Sequence, residues 1–161
     1  MPALEILRPD HAAAVLAFEK ENRAFFAVSR PARGDDFFAH YDERHSMLLA
    51  EQEAGICLFH VLVGDNGEVL GRFNLVDIED GSAELGYRVA EKASGQGAAT
   101  GAVKEICELA AEEYGLTSLR ARTTRENLAS QTVLTRNGFV PVGEVTLSGK
   151  AGISYLRDLA G

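Results

Sequence analysis

The order of local patterns along the chain predicts an α+β fold built on one mixed central sheet flanked by about four helices. Three observations carry this. Ile56 to Val63, Val69 to Ile78 and Ala83 to Val89 are strand-like runs separated by the turn signals Asp65-Asn66-Gly67 and Asp80-Gly81. The middle of the chain therefore reads as an antiparallel meander rather than a succession of βαβ units. From Gly97 the apolar spacing becomes helical, with Val103, Ile106, Cys107, Ala110 and Tyr114 inward and Lys104, Glu105, Glu108 and Glu112 outward. Finally, 161 residues at 46% hydrophobic content suit one core, so residues 1–161 are expected to form a single domain.

The remaining elements follow in order. Leu4 to Leu7 reads as a short strand, and Pro9-Asp10 opens a helix with Val15, Phe18, Asn22 and Phe25 on one side. Ala27 to Gly34 breaks the pattern with Pro31 and Gly34 and is a candidate substrate loop; a second helix is expected from about Asp35 into the 50s. After the long helix, closed by Gly115, Ser118 to Thr123 is a strand and Asn127 to Asn137 a short helix ended by Gly138. Two strands around Ser148-Gly149-Lys150 complete the sheet.

Composition excludes several functions. A net charge of −8 repels phosphate backbones, so no direct nucleic-acid partner is expected, and an acidic surface suits cationic acceptors. The longest apolar run, Ala12 to Phe18, is far short of the ~20 residues of a membrane span. Cys57 and Cys107 read as small buried hydrophobes with no basic neighbour, which points to the cytoplasm. The scattered His and Cys have no metal-ligand spacing, so no metal is expected. His60 reads as a hydrogen-bonded sheet residue, His40 and His45 as solvated helix residues, and Asp77, Glu79 and Asp80 as a turn face able to attract a cationic amine.

The most informative segment is Ser94-Gly95-Gln96-Gly97-Ala98-Ala99-Thr100, which leads from a strand into a helix with little side-chain bulk. The first N–H groups of a helix have no internal partners and carry the positive end of its dipole, so a phosphate can settle on them. A small-residue loop also serves simply to bring a helix close to a sheet. A dinucleotide fingerprint would follow the first strand of a βαβ unit, and a P-loop would end in Gly-Lys-Ser/Thr; neither fits.

Ala83 to Ala90, the glycine loop, Asn127-Leu128-Ala129-Ser130 and Asn137-Gly138-Phe139 together resemble the GNAT superfamily of N-acetyltransferases in order and spacing. Leu7-Arg8-Pro9 and the Asn22 to Phe26 stretch resemble its RimJ/RimL-type branch, which acetylates N-terminal amines of ribosomal proteins. The resemblance implies acetyl-coenzyme A (acetyl-CoA) lying between the strands ending at Val89 and Thr123, which would splay to admit its pantetheine arm. Backbone groups of Tyr87, Arg88 and Val89 would pair with that arm, and amides within Ser94, Gly95, Gln96, Gly97, Ala98, Ala99 and Thr100 would hold the pyrophosphate. In the Q/R-x-x-G-x-G/A signature Ser94 stands where Gln or Arg is usual. Asn127 would contact the cofactor, although an ordinary N-cap also explains it. Ser130 would lie near the sulfur, or be a plain helix residue. Where many relatives place a tyrosine to protonate the thiolate, this chain has Leu134.

The expected chemistry is direct attack by an amine on the thioester in a ternary complex, with backbone N–H groups stabilising the oxyanion. A thiol of reference pKa ~8.5 leaves tolerably without a dedicated acid, and Ser130 could supply a weaker hydrogen bond. An α-amine titrates near ~7.7–8.0 and a lysine near ~10.4, a difference of about 3–4 kcal/mol that favours the α-amine of a protein N-terminus, for example of a basic ribosomal protein. Glu84 is the candidate base by resemblance, against the alternative of a solvated strand residue. The other readings are a small-amine acetyltransferase acting on a polyamine, amino sugar or antibiotic, and a non-catalytic acetyl-CoA sensor. A monomer or a homodimer is expected.

Overall fold

The computed structural model describes residues 2–28 and 30–159. Seven strands form one sheet: β1 (Ala3–Ile6), β2 (Leu58–Val63), β3 (Val69–Glu79), β4 (Ser82–Val89), β5 (Ser118–Thr124), β6 (Val140–Leu147) and β7 (Lys150–Asp158). Their spatial order is β1-β2-β3-β4-β5-β7-β6, with every pair antiparallel except the parallel pair β4 and β5. The meander is β2-β3-β4, and the long helix supplies the crossover that a parallel neighbour requires.

Six α-helices are described: α1 (Ala12–Glu21), α2 (Arg23–Ala27), α3 (Asp35–Ala39), α4 (Tyr41–Glu53), α5 (Ala98–Glu112) and α6 (Leu128–Arg136). The larger number than the expected four comes from two breaks. Asn22 leaves helical geometry at φ −104°, ψ 14°; its amide donates to the Phe18 carbonyl and its Oδ1 accepts from the Glu91 N–H. That second bond ties the end of α1 to the turn Glu91–Ala93, just ahead of the glycine loop. His40, at φ −119°, ψ 29°, separates α3 from α4.

Strand alternation divides the core between the two faces of the sheet. On one, Phe73, Leu75, Ala83, Leu85, Leu119 and Ala121 pack against Ala102, Val103, Ile106, Cys107 and Ala110 of α5 and Val133 and Leu134 of α6. On the other, Phe59 and Val61 pack with Val15 and Phe18 of α1, Phe26 of α2 and Tyr41 and Leu48 of α4. His45, expected in solvent, is buried: one ring nitrogen meets the Tyr41 hydroxyl at 3.0 Å and the other the Arg8 carbonyl at 2.9 Å. It pins α4 to the turn before α1, a role that local spacing does not reveal. His60 is the sheet residue expected, bridging the Phe73 carbonyl and the Tyr114 hydroxyl; burial pulls its pKa down to about 4, so it is neutral.

Both cysteines are free and buried. Cys107 does have a basic neighbour, Arg157, brought in by β7, but burial dominates and raises its thiol pKa. Burial likewise raises that of Cys57. Neither is a poised thiolate.

Candidate active site

β4 and β5 pair only from Ser82↔Ser118 to Leu85↔Ala121. Beyond that point β4 stays paired with β3 as far as Val89, while β5 stays paired with β7 as far as Thr124. The two strands therefore diverge, and a cavity of about 720 Å³ opens between them. Gly86 is the first residue of β4 without a partner on β5, and an added Cβ there would meet nothing within 4 Å.

Tyr87, Arg88, Asn127, Ser130 and Leu134 all line this cavity. The Tyr87 ring stacks on Phe73 with centroids 5.6 Å apart, and its hydroxyl lies 2.9 Å from Ser130 Oγ. Burial raises the phenol pKa, with the Ser130 contact opposing it, so Tyr87 stays protonated. A phenol thus reaches the cleft from β4, although Leu134 leaves none at the usual place on α6. Asn127 is the N-cap of α6, its Oδ1 accepting from the Ser130 N–H at 3.1 Å, and so fixes the start of the helix that carries Ser130. The Tyr87 carbonyl accepts a 2.7 Å hydrogen bond from Arg30.

The glycine loop follows β4 and the turn Glu91–Ala93. Gly95 and Gly97 have φ of +74° and +78°, a region in which glycine is free of the Cβ penalty, and Gly97 is the N-cap of α5 with no side chain bonded to its amides. The N–H groups of Ala98, Ala99 and Thr100 therefore start a 15-residue helix without a side-chain cap. Ser94 Oγ donates to the Ala90 carbonyl and the Gln96 amide to the Lys92 carbonyl, so both side chains brace the loop itself. A left-handed pair of glycines beside uncapped helix amides can cradle a pyrophosphate, but Val89 and residues 94–100 are not part of the cavity wall that Tyr87, Arg88, Asn127 and Ser130 line.

Glu84 is placed differently from a free base. It is not in the cavity wall; Arg122 Nη2 and Nε donate to its Oε2 at 2.9 and 3.2 Å, and Arg120 Nη1 lies 3.7 Å from its Oε1. The register opposes Glu84 to Arg120, and alternation brings Arg122 to the same face. Among the described residues the carboxylate in the cavity wall is instead Glu51 of α4. Asp77, Glu79 and Asp80 form an exposed turn outside the wall, where Asp77 and Asp80 take positive φ. The candidate loop contributes Ala27, Val28, Arg30, Pro31 and Arg33; its Ser29 lies outside the described residues.

The sequence reading missed a buried ionic cluster on the helical side of the cavity. Glu19 of α1, 1% exposed, accepts from Arg33 Nε at 3.0 Å, Arg72 Nη1 at 2.9 Å and Arg88 Nη1 at 3.2 Å. Arg88 and Arg30 also lie over the Phe26 ring, at 5.0 and 5.8 Å. Burial lowers the Arg88 pKa to about 10 against the pull of Glu19, and lowers that of Arg30. Two signals were available: Glu19 shares the buried i, i+4, i+7 side of α1 with Val15 and Asn22, and Arg72 sits in the mostly apolar first half of β3, where a charge needs a partner. The cavity lining is basic, opposite in sign to the whole chain, so the net-charge argument for a cationic acceptor does not extend to this site.

A parallel strand pair that opens into a cleft, followed by an uncapped glycine-loop helix, is the architecture of a CoA-binding acyltransferase. The chain belongs to the acetyltransferase (GNAT) domain family, whose model matches residues 3–140. An uncharacterized N-acetyltransferase p20 from Bacillus licheniformis is 31% identical over 87 residues, 53% of this chain, and the match spans only about half (49%) of that relative. Among solved structures, the ribosomal-protein-S5-alanine acetyltransferase of Vibrio fischeri superposes with a TM-score of 0.90 at 20% identity, covering 96% of this chain and 91% of that one. RimJ of Mycobacterium smegmatis, in complex with CoA-disulfide, gives 0.85 at 24%, covering 96% and 80%. A chimeric spermidine N-acetyltransferase SpeG from Vibrio cholerae and hSSAT gives 0.79 at 15%, covering 99% and 96%. At these identities the likeness is one of fold, and it extends to enzymes with different acceptors. Among the described residues no helix is long and apolar enough to cross a membrane.

Proposed function

We propose that the protein is an acetyl-CoA-dependent N-acetyltransferase acting on the α-amine of a protein N-terminus, of the kind that ribosomal-protein acetyltransferases modify. The divergence of β4 and β5 past Leu85↔Ala121, with the uncapped amides of α5 next in the chain after β4, supports the acetyl-CoA part of this reading, and the likeness of fold to ribosomal-protein acetyltransferases supports the acceptor. Acetyl-CoA supplies the acetyl group as a thioester. Amides within Gly95 to Thr100 would hold its pyrophosphate, and the open edge of β4 from Gly86 to Val89 would receive its pantetheine arm. Arg30, which already donates to the Tyr87 carbonyl, would share or release that acceptor.

The Tyr87 and Ser130 hydroxyls, 2.9 Å apart in the wall, form the pair proposed to donate a hydrogen bond, and then a proton, to the departing sulfur, the pair being reprotonated through solvent by the proton that the amine nitrogen loses as the amide forms. Glu84, held by Arg122, is proposed to set the position of β5 beside the cleft rather than to remove the amine proton. An α-amine needs little help, since its pKa of ~7.7–8.0 leaves a substantial neutral fraction near neutral pH. The basic lining disfavours a polyamine, which would carry several positive charges into it. The cytoplasm is the proposed compartment, in keeping with two free buried cysteines.

Thiol release from acetyl-CoA should be followed over N-terminal peptides, lysine peptides and small amines, for wild type, Ser130→Ala and Glu84→Gln. The reading expects turnover on α-amine peptides, lost mainly in kcat in Ser130→Ala. Turnover confined to small amines overturns the acceptor class, and tight CoA binding without turnover on any acceptor establishes a sensor instead.

A further inference from the structure

Three guanidiniums meet one carboxylate on the α1–α4 side of the cavity, and a fourth, that of Arg30, lies near them. Arg30, Arg33, Arg72 and Arg88 all line the cavity, each is close enough to others of the group to perturb them electrostatically, and Glu19 is the acid bonded to three of them. One negative charge against four positive leaves a surplus of three. Each guanidinium carries five donors, and the bonds to Glu19 and the Tyr87 carbonyl use one apiece. Among the described residues no guanidinium nitrogen is both buried and without any partner, so the nitrogens that make no bond to protein are reachable from the cavity or solvent. Burying cations together in excess is costly, and a fold that does so at a cavity wall is built to receive an anion.

A second observation sets where that anion stands. Asn74 lies two residues from Arg72 on the same face of β3, opposite Gly86 at the mouth of the diverging strands. Its Oδ1 is the one buried side-chain N or O atom without a partner among the described residues, and Asn74 lines the same cavity. An amide oxygen accepts hydrogen bonds and offers nothing to an anion, so it suits an N–H donor of the acceptor. The Cα atoms of residues 72 and 74 are ~6.6 Å apart at strand rise, about the reach of one or two residues of peptide.

We infer that Asn74 and the cluster Arg30, Arg33, Arg72 and Arg88 form a specificity subsite for an α-amine followed closely by a carboxylate, that is, a protein N-terminus with Asp or Glu in its first two residues. This rests on the N-acetyltransferase reading above. Asn74 Oδ1 accepts from the amine or the first amide, and the side-chain carboxylate takes the free guanidinium donors that Glu19 leaves over.

The test compares free-N-terminus hexapeptides carrying Glu or Asp at position one or two with their Gln and Asn isosteres, for wild type and Arg33→Gln, the most exposed of the three arginines on Glu19. The expected result is a KM about tenfold lower for the acidic peptides than for their isosteres, a difference that narrows at high salt and in Arg33→Gln. A purely structural cluster would move acidic and amide peptides alike, and equal KM values in wild type overturn the inference. Turnover on free glutamate or aspartate alone keeps the anion subsite and overturns the protein acceptor. Should no amine turn over, peptide affinity for the CoA-bound protein decides: acidic peptides binding no tighter than their isosteres overturn it.

Discussion

The two faces of the sheet are built from opposite materials. Under α5 and α6 the contacts are almost wholly apolar, with Phe73, Ile106, Leu119 and Leu134 at 0–1% exposure. Under α1 to α4 the packing includes Glu19 at 1%, Arg72 at 7% and His45 at 3%, all of which hold polar partners. The first face gives stability cheaply and forms the rigid wall against which Tyr87 and Ser130 are set. The second keeps charges beside a cavity, an arrangement that contributes little net stability but fixes where charged groups stand.

Removing one member from each face should cost similar amounts for different reasons. Phe73→Ala is expected to lose about 3–5 kcal/mol through lost transfer energy and a cavity, and Glu19→Ala a similar ~3–5 kcal/mol by leaving guanidiniums buried without their acid. Urea unfolding at two salt concentrations separates them: the deficit of Glu19→Ala should shrink with added salt and that of Phe73→Ala should not. Equal salt responses would erase the contrast.

The apolar face carries one titrating liability. His60 has its pKa lowered in the folded state to about 4 from an ordinary ~6.5, so the unfolded chain takes up the proton first as pH falls. Its contribution is fully present above about pH 6.5 and is lost as pH drops to about 4, by roughly 3 kcal/mol. A stability profile between pH 7 and 4 should show this loss in wild type, and it should flatten in His60→Gln.

Smaller effects bear on the site itself. Ser130→Ala is expected to lower kcat about 10–100-fold with little change in the KM for acetyl-CoA, and Tyr87→Phe to do the same more weakly, as expected of groups that assist the leaving thiolate. Gly97→Ala forces a Cβ into φ +78° at the start of α5 and should cost about 1–2 kcal/mol while raising the KM for acetyl-CoA. An unchanged KM there would remove the glycine loop from the proposed cofactor site.

The sequence by itself determined most of the elements and the local geometry of the glycine loop. Periodicity of two in Val69 to Ile78 and of 3.6 from Gly97 places residues inside or outside without reference to distant partners, and the glycine loop is a continuous segment whose geometry its own residues impose. Local breaks at Asn22 and His40 were not legible, because the bond that holds Asn22 comes from Glu91, 69 residues away. The Tyr87 to Ser130 contact spans 43 residues and Arg72 to Glu19 spans 53. Only the tertiary structure decided that Glu84 serves Arg122, that His45 is buried, and that an acidic chain lines its cavity with arginines. The reason is physical: patterning follows from burial alone, whereas the partner of a buried charge is whichever group the completed sheet brings within a few ångströms of it.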